Sequence, residues 1–163
     1  MSRSLGSELP FDLLARLSQA ELRRYLGSVL PLVTVDGKGF PHPMLLSSLE
    51  VRATDPKTIR IVIGIRSRSA RNLLERQAAT LLIIEPERTV YVKARAIDGP
   101  YAVSDLTDFG LFVLSVEEVL EDAPADWESG MGITAGVTYG PAPSLDEPRV
   151  RATLDALASV MKS

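Results

Sequence analysis

Residues 58–65 read Thr-Ile-Arg-Ile-Val-Ile-Gly-Ile, and this run constrains the fold more than any other feature of the chain. Ile59, Ile61, Ile63 and Ile65 share one face and Arg60 and Gly64 the other, the period of a half-buried β-strand. A helix would scatter the same isoleucines around its circumference. The chain therefore supplies a sheet with one face on a core, and neighbouring segments provide its other strands. Leu30–Val35 is apolar and β-branched, Asp36-Gly37-Lys38-Gly39 is turn chemistry, and Pro41–Val51 is a second apolar run, which together read as a hairpin. Ala79–Glu85 is apolar on both faces, as a central or covered strand is. After the turn Pro86-Glu87-Arg88, residues Thr89–Ile97 put Val90, Val92, Ala94 and Ala96 on one face and Thr89, Tyr91, Lys93 and Arg95 on the other. Phe109–Leu120 supplies a sixth strand.

Helical period interrupts this pattern in three places. Leu13, Leu14 and Leu17 precede Ser18 and Glu21, a capping-box pair predicting a second helix from Ser18 that ends at Gly27. Ala70–Gln77, with Leu73 and Leu74 and no β-branched residue, predicts a short helix between the third and fourth strands. Ser144 and Glu147 repeat the capping pattern before an apolar stripe of Val150, Leu154, Leu157 and Met161. Glu117–Glu128 is acidic and residues 129–143 are rich in glycine and proline, the composition of loop or short helix. The expectation is one α+β domain over residues 1–163. It comprises a helical cap at 10–27, a mostly antiparallel six-stranded barrel at about 30–120, and a loop and amphipathic helix at 121–163.

Composition removes several functions. A net charge of -3 gives no overall field to attract nucleic acid or an anionic membrane. With no cysteine and one histidine, His42, there is no disulfide framework, no cysteine nucleophile and little material for a zinc site. His42 lies between two prolines at a strand start and is read as a packing or turn residue without a catalytic role. Met1–Phe11 lacks the apolar run of a signal peptide, and no segment approaches the ~20 apolar residues of a membrane span, so a cytoplasmic protein is expected. Redox chemistry in such a chain requires a borrowed cofactor.

The start of the inserted helix is the one place where polar groups concentrate. Arg66, Arg68 and Arg71 bring charge, Ser67, Ser69 and Asn72 bring hydrogen-bonding groups, and the first turn offers free N–H groups at the positive end of the helix dipole. Spacing alone admits a phosphate seat or, more commonly, a capped helix with solvated arginines. Gly130, Gly132 and Gly136 do not match a dinucleotide fingerprint and read as loop glycines, while Trp127 and Tyr139 suit either a groove at a subunit interface or the core.

Taken in order, Val33-Thr34-Val35-Asp36-Gly37, Pro41-His42-Pro43, Ser67-Arg68-Ser69, Arg71-Asn72-Leu73, Ala79-Thr80-Leu81-Leu82-Ile83 and Val90-Tyr91-Val92-Lys93-Ala94-Arg95-Ala96 resemble the pyridoxamine 5′-phosphate oxidase-like flavoproteins. The resemblance spans about Leu30 to Asp98, and it lies in the shared order of motifs that are individually degenerate. It implies a split β-barrel that forms a homodimer and holds FMN in a groove between subunits. Arg66, Ser67, Arg68, Ser69, Asn72 and Thr89 would be the cofactor-binding residues, and Lys93 and Arg95 would lie near the groove or the dimer contact. Ser69 stands where the family's lysine is expected and Thr89 where a glutamine is frequent. Met44-Leu45-Leu46-Ser47-Ser48-Leu49 lacks the arginine and lysine of the true oxidases, which argues against that named activity. The resemblance thus implies a flavin-dependent oxidoreductase of unknown substrate. The alternative it leaves is a non-catalytic dimeric barrel that binds a flavin or another phosphorylated or planar ligand such as a deazaflavin or haem, or has lost its cofactor.

Overall fold

A computed structural model describes residues 2–86, 88–122 and 132–159. Eight strands form one sheet: β1 (Ser2–Gly6), β2 (Val29–Val35), β3 (Pro41–Ser47), β4 (Val51–Asp55), β5 (Thr58–Gly64), β6 (Ala78–Glu85), β7 (Arg88–Val103) and β8 (Leu106–Asp122). Three α-helices accompany them, α1 (Phe11–Leu17), α2 (Arg68–Arg76) and α3 (Pro148–Ala158), with a 3-10 turn at Leu22–Tyr25. The sheet runs β3-β2-β6-β7-β8-β5-β4, with β1 on β8, and every ladder is antiparallel. Its two outer strands, β3 and β4, are consecutive in the chain and joined only through Ser48–Glu50, so the sheet has to roll until its edges approach. No ladder joins β3 to β4 among the described residues, and the roll is left unclosed.

The isoleucine run follows its period as far as Ile63, while Ile65, past the end of β5, is exposed. Ile59, Ile61 and Ile63 are buried inside the roll with Leu32, Leu81, Val92, Phe112 and Leu114, each side chain contributing about 1.5–3 kcal/mol by leaving water. Leu13 and Leu17 of α1 close one end of this core. A smaller core forms outside the roll, where Leu157 of α3 covers Val62, Val103 and Leu111. No helix among the described residues is long and apolar enough to cross a membrane.

The expected six strands become eight for two local reasons. Pro41–Val51 breaks because the Glu50 carboxylate accepts from the Ser47 N–H at 2.7 Å and the Ser47 hydroxyl at 2.9 Å, while Glu50 N–H donates to Ser47 O at 3.0 Å, making a turn. β1 is polar and exposed, so it carries no alternation, and its ladder to β8 and the Arg3–Glu121 ion pair hold it. The helix expected from Ser18 does not form. Ser18 ends α1, its hydroxyl donating to Ala15 O at 2.9 Å, and Gln19 turns the chain at φ 67. The acidic stretch from Glu117 is strand as far as Asp122, because Lys93, Arg95 and Tyr91 on β7 meet Glu118, Glu117 and Asp122 across the ladder. Trp127, Gly130 and Met161 lie outside the described residues.

One irregularity opens the sheet. The β2–β6 ladder is confined to Leu32–Thr34 against Leu81–Ala79. Below it the strap 136–139 takes the freed edge of β2: Val29 N–H donates to Val137 O at 2.9 Å and Tyr139 N–H to Gly27 O at 2.7 Å. Gly136 fits because it has no side chain, since a Cβ there would stand 2.4 Å from Ile84 O.

Candidate functional site

Ser67 is the N-cap of α2. Its backbone is extended, its Oγ accepts from Ala70 N–H at 3.1 Å, and its own N–H donates to Gly64 O at 3.0 Å, which fixes the helix start to the end of β5. The N–H groups of Arg68 and Ser69 are then the first-turn donors without an intrahelical acceptor. Arg68 is exposed beside the β2–β3 turn, where the Asp36 carboxylate accepts from Phe40 N–H at 2.9 Å and Lys38 N–H at 2.8 Å. The Phe40 amide chiefly, with the Lys38 amide and the charges of Lys38 and Arg68, holds the Asp36 carboxyl below its usual range. Arg66 is exposed and lies 3.6 Å from Asp108.

Ser69, Asn72 and Thr89, the remaining residues expected at the cofactor site, are buried. Ser69 is 1% exposed and Asn72 is 2% exposed. Asn72 Nδ2 donates to Thr34 Oγ1 at 2.9 Å, and Thr34 in turn donates to His42 O at 3.2 Å, so a chain of polar groups bolts α2 to the β2–β3 hairpin. His42 takes part through its backbone carbonyl. Thr89 is buried opposite Ile84, whereas α2 runs into the other end of β6 at Ala78. Six residues of strand at ~3.3 Å each put about 20 Å between those ends. Lys93 and Arg95 sit half exposed on the outer face of β7, each paired at 2.8 Å with Glu118 or Glu117.

Beside the seat lies a cleft of about 350 Å³ that no single motif announces. Its floor is the outward side of β3 and β5, with Leu45 and Val62, and its far wall is the first turns of α3. Phe109 lines it from β8 and pairs with Gly64, the residue whose carbonyl receives Ser67 N–H, so cleft and seat adjoin along β5. The Arg149 guanidinium lies over the Phe109 ring, 4.7 Å from its centroid. Tyr139 stands at the rim, its hydroxyl donating to Leu45 O at 3.4 Å. Phe109 and Arg149 are 40 positions apart on a strand and a helix, and their juxtaposition leaves no signal in either segment alone. Among the described residues no group of three or more His, Asp or Glu is placed to hold a metal.

No family model matches the chain, and no curated protein matches it. Solved structures do. A candidate pyridoxamine 5′-phosphate oxidase from Lactobacillus delbrueckii aligns at 20% identity and TM-score 0.56, over 72% of this chain and 98% of its own. An FMN-binding protein from Syntrophomonas wolfei aligns at 13% identity and TM-score 0.53, over 70% of this chain and 88% of its own. HupZ from Group A Streptococcus aligns at 12% identity and TM-score 0.54, over 81% of this chain and its whole length. Likeness at such identities speaks to architecture alone, and by architecture this chain has the split-barrel fold of the pyridoxamine 5′-phosphate oxidase-like, FMN-binding proteins.

Proposed function

We propose that this protein binds FMN and serves as a flavin-dependent oxidoreductase. The observation that carries the reading is the Ser67-capped start of α2 opening beside the cleft along β5. Free first-turn amides, the Ser67 hydroxyl and the Arg68 guanidinium offer a phosphate charge-assisted hydrogen bonds. The fit is narrower than the family pattern: Arg66, Ser67, Arg68 and backbone N–H groups would hold the phosphate, while Ser69 and Asn72 support the helix from beneath. Bound FMN would supply the electron transfer, and the protein's own groups would bind and orient it. The similarity in fold to an FMN-binding protein supports the same reading.

The protein is proposed to act as a homodimer. Phe40, Ile65 and Leu74 are large, outward-facing and 41–65% exposed, a cost that a second subunit would remove.

Titration of the apo-protein with FMN, followed by flavin fluorescence, tests the site. Saturable binding is expected, with Arg68→Ala weaker by roughly 10- to 150-fold, the effect of losing one charge-assisted bond. Wild-type protein without saturable binding would replace this reading with that of a non-catalytic barrel.

A further inference from the structure

Arg149 is hard to explain as part of the scaffold. It occupies the first turn of α3, where the helix dipole disfavours a cation, and among the described residues its guanidinium makes neither an ion pair nor a hydrogen bond. It nevertheless lies over Phe109 at 4.7 Å, so stacking holds the planar group while leaving its N–H edge unused. The carboxylates sharing the lining have other employment. Glu50 accepts from the Ser47 N–H and hydroxyl, and Glu147 accepts from Ser144 N–H at 3.1 Å. The result is a cleft of about 350 Å³ with an apolar floor and one unpaired cation at its edge, whose lining also carries the Glu50 and Glu147 carboxylates, each hydrogen-bonded to neutral donors.

We infer that this cleft binds a small organic acid, its carboxylate held by Arg149 and its apolar or aromatic body seated on Leu45 and Phe109. An N–H fork matches a carboxylate with two parallel bonds, and a floor without unpaired donors selects an apolar body over a sugar or peptide. The inference deepens the flavin reading, on which it rests for its chemical meaning: the acid is the substrate class that would be brought beside the ring. Its binding energetics belong to Arg149 and do not involve the phosphate seat at Ser67.

The test is calorimetric titration of the full-length protein, alone and with FMN, using 2-naphthoate and its uncharged counterpart 2-naphthamide. Naphthoate is expected to bind more tightly by about 10-fold or more, the contribution of one bidentate pair. Arg149→Ala should erase the difference by weakening naphthoate alone, and Arg149→Lys should keep part of it. Equal affinities for acid and amide, or a preference that survives in Arg149→Ala, would overturn the inference. The FMN titration reads the other proposal separately: lost flavin binding with the acid preference intact removes the flavin and retains the acid site. Thermal melts of both variants check folding, and the comparison of acid with amide within each protein stays decisive even where stability changes.

Discussion

Gly136 lies so close beneath the carbonyl oxygen of Ile84 that a Cβ added to it would approach to 2.4 Å. That contact lets the strap 136–139 fill the gap left where β2 leaves β6. The listening edge of β2 would otherwise expose unpaired backbone groups, and the hydrogen bonds from Val29 and to Gly27 satisfy them. Gly136→Ala should push the strap outward and cost about 1–3 kcal/mol, as overpacking against backbone does. Urea unfolding measures the change. An unaltered midpoint would mean that the strap is not part of the cooperative unit.

Asn72 and Thr34 form the polar joint between α2 and the barrel wall. Asn72→Ala removes a buried donor and leaves a cavity, for an expected loss of about 1–3 kcal/mol. Since the joint positions Ser67, FMN affinity should fall with stability, although Asn72 itself is buried. Parallel denaturation and FMN titration would separate this positioning effect from direct contact: Thr34→Val, which breaks the same joint from β2, should reproduce it.

Ser69→Lys is expected to destabilise the protein without improving phosphate binding. The position is 1% exposed, so a lysine there must displace packed neighbours or leave its ammonium desolvated, costing about 1–3 kcal/mol from overpacking alone. A fall in Tm of several degrees, read by thermal melting, is the expected outcome. Tighter FMN binding by this variant would show that α2 can rotate to present residue 69 to solvent.

The β2–β3 turn should loosen in acid. Asp36 has its pKa lowered, chiefly by the Phe40 N–H, so the support it gives is complete above the unfolded-state value of about 4 and is lost as pH falls through the lower folded value. Amide exchange at Lys38 and Phe40 should therefore accelerate below about pH 4, and Asp36→Asn should exchange faster at neutral pH with little further change in acid. Exchange rates at these two amides that follow only the intrinsic pH dependence would refute the carboxylate's role.

Local period was enough to assign the faces of β5 from Ile59 to Ile63 and of β7, because alternation along a strand depends only on neighbours two residues apart. It was also enough to place a helix after β5, although the helix starts at Arg68 rather than Ala70 and its cap is Ser67 rather than Ser69, because the Ser67 hydroxyl is the one that meets the Ala70 N–H. The split of Pro41–Val51 into β3 and β4 hinged on one Glu50 carboxylate, and β1 has no apolar pattern, so neither was legible from period. Which way Ser69 and Asn72 face depended on where α2 settled against β2, and the meeting of Arg149 with Phe109 depended on α3 folding back over β5 and β8. Those outcomes belong to tertiary structure because they are set by burial and hydrogen bonding between segments far apart in the chain, whose partners no local spacing encodes.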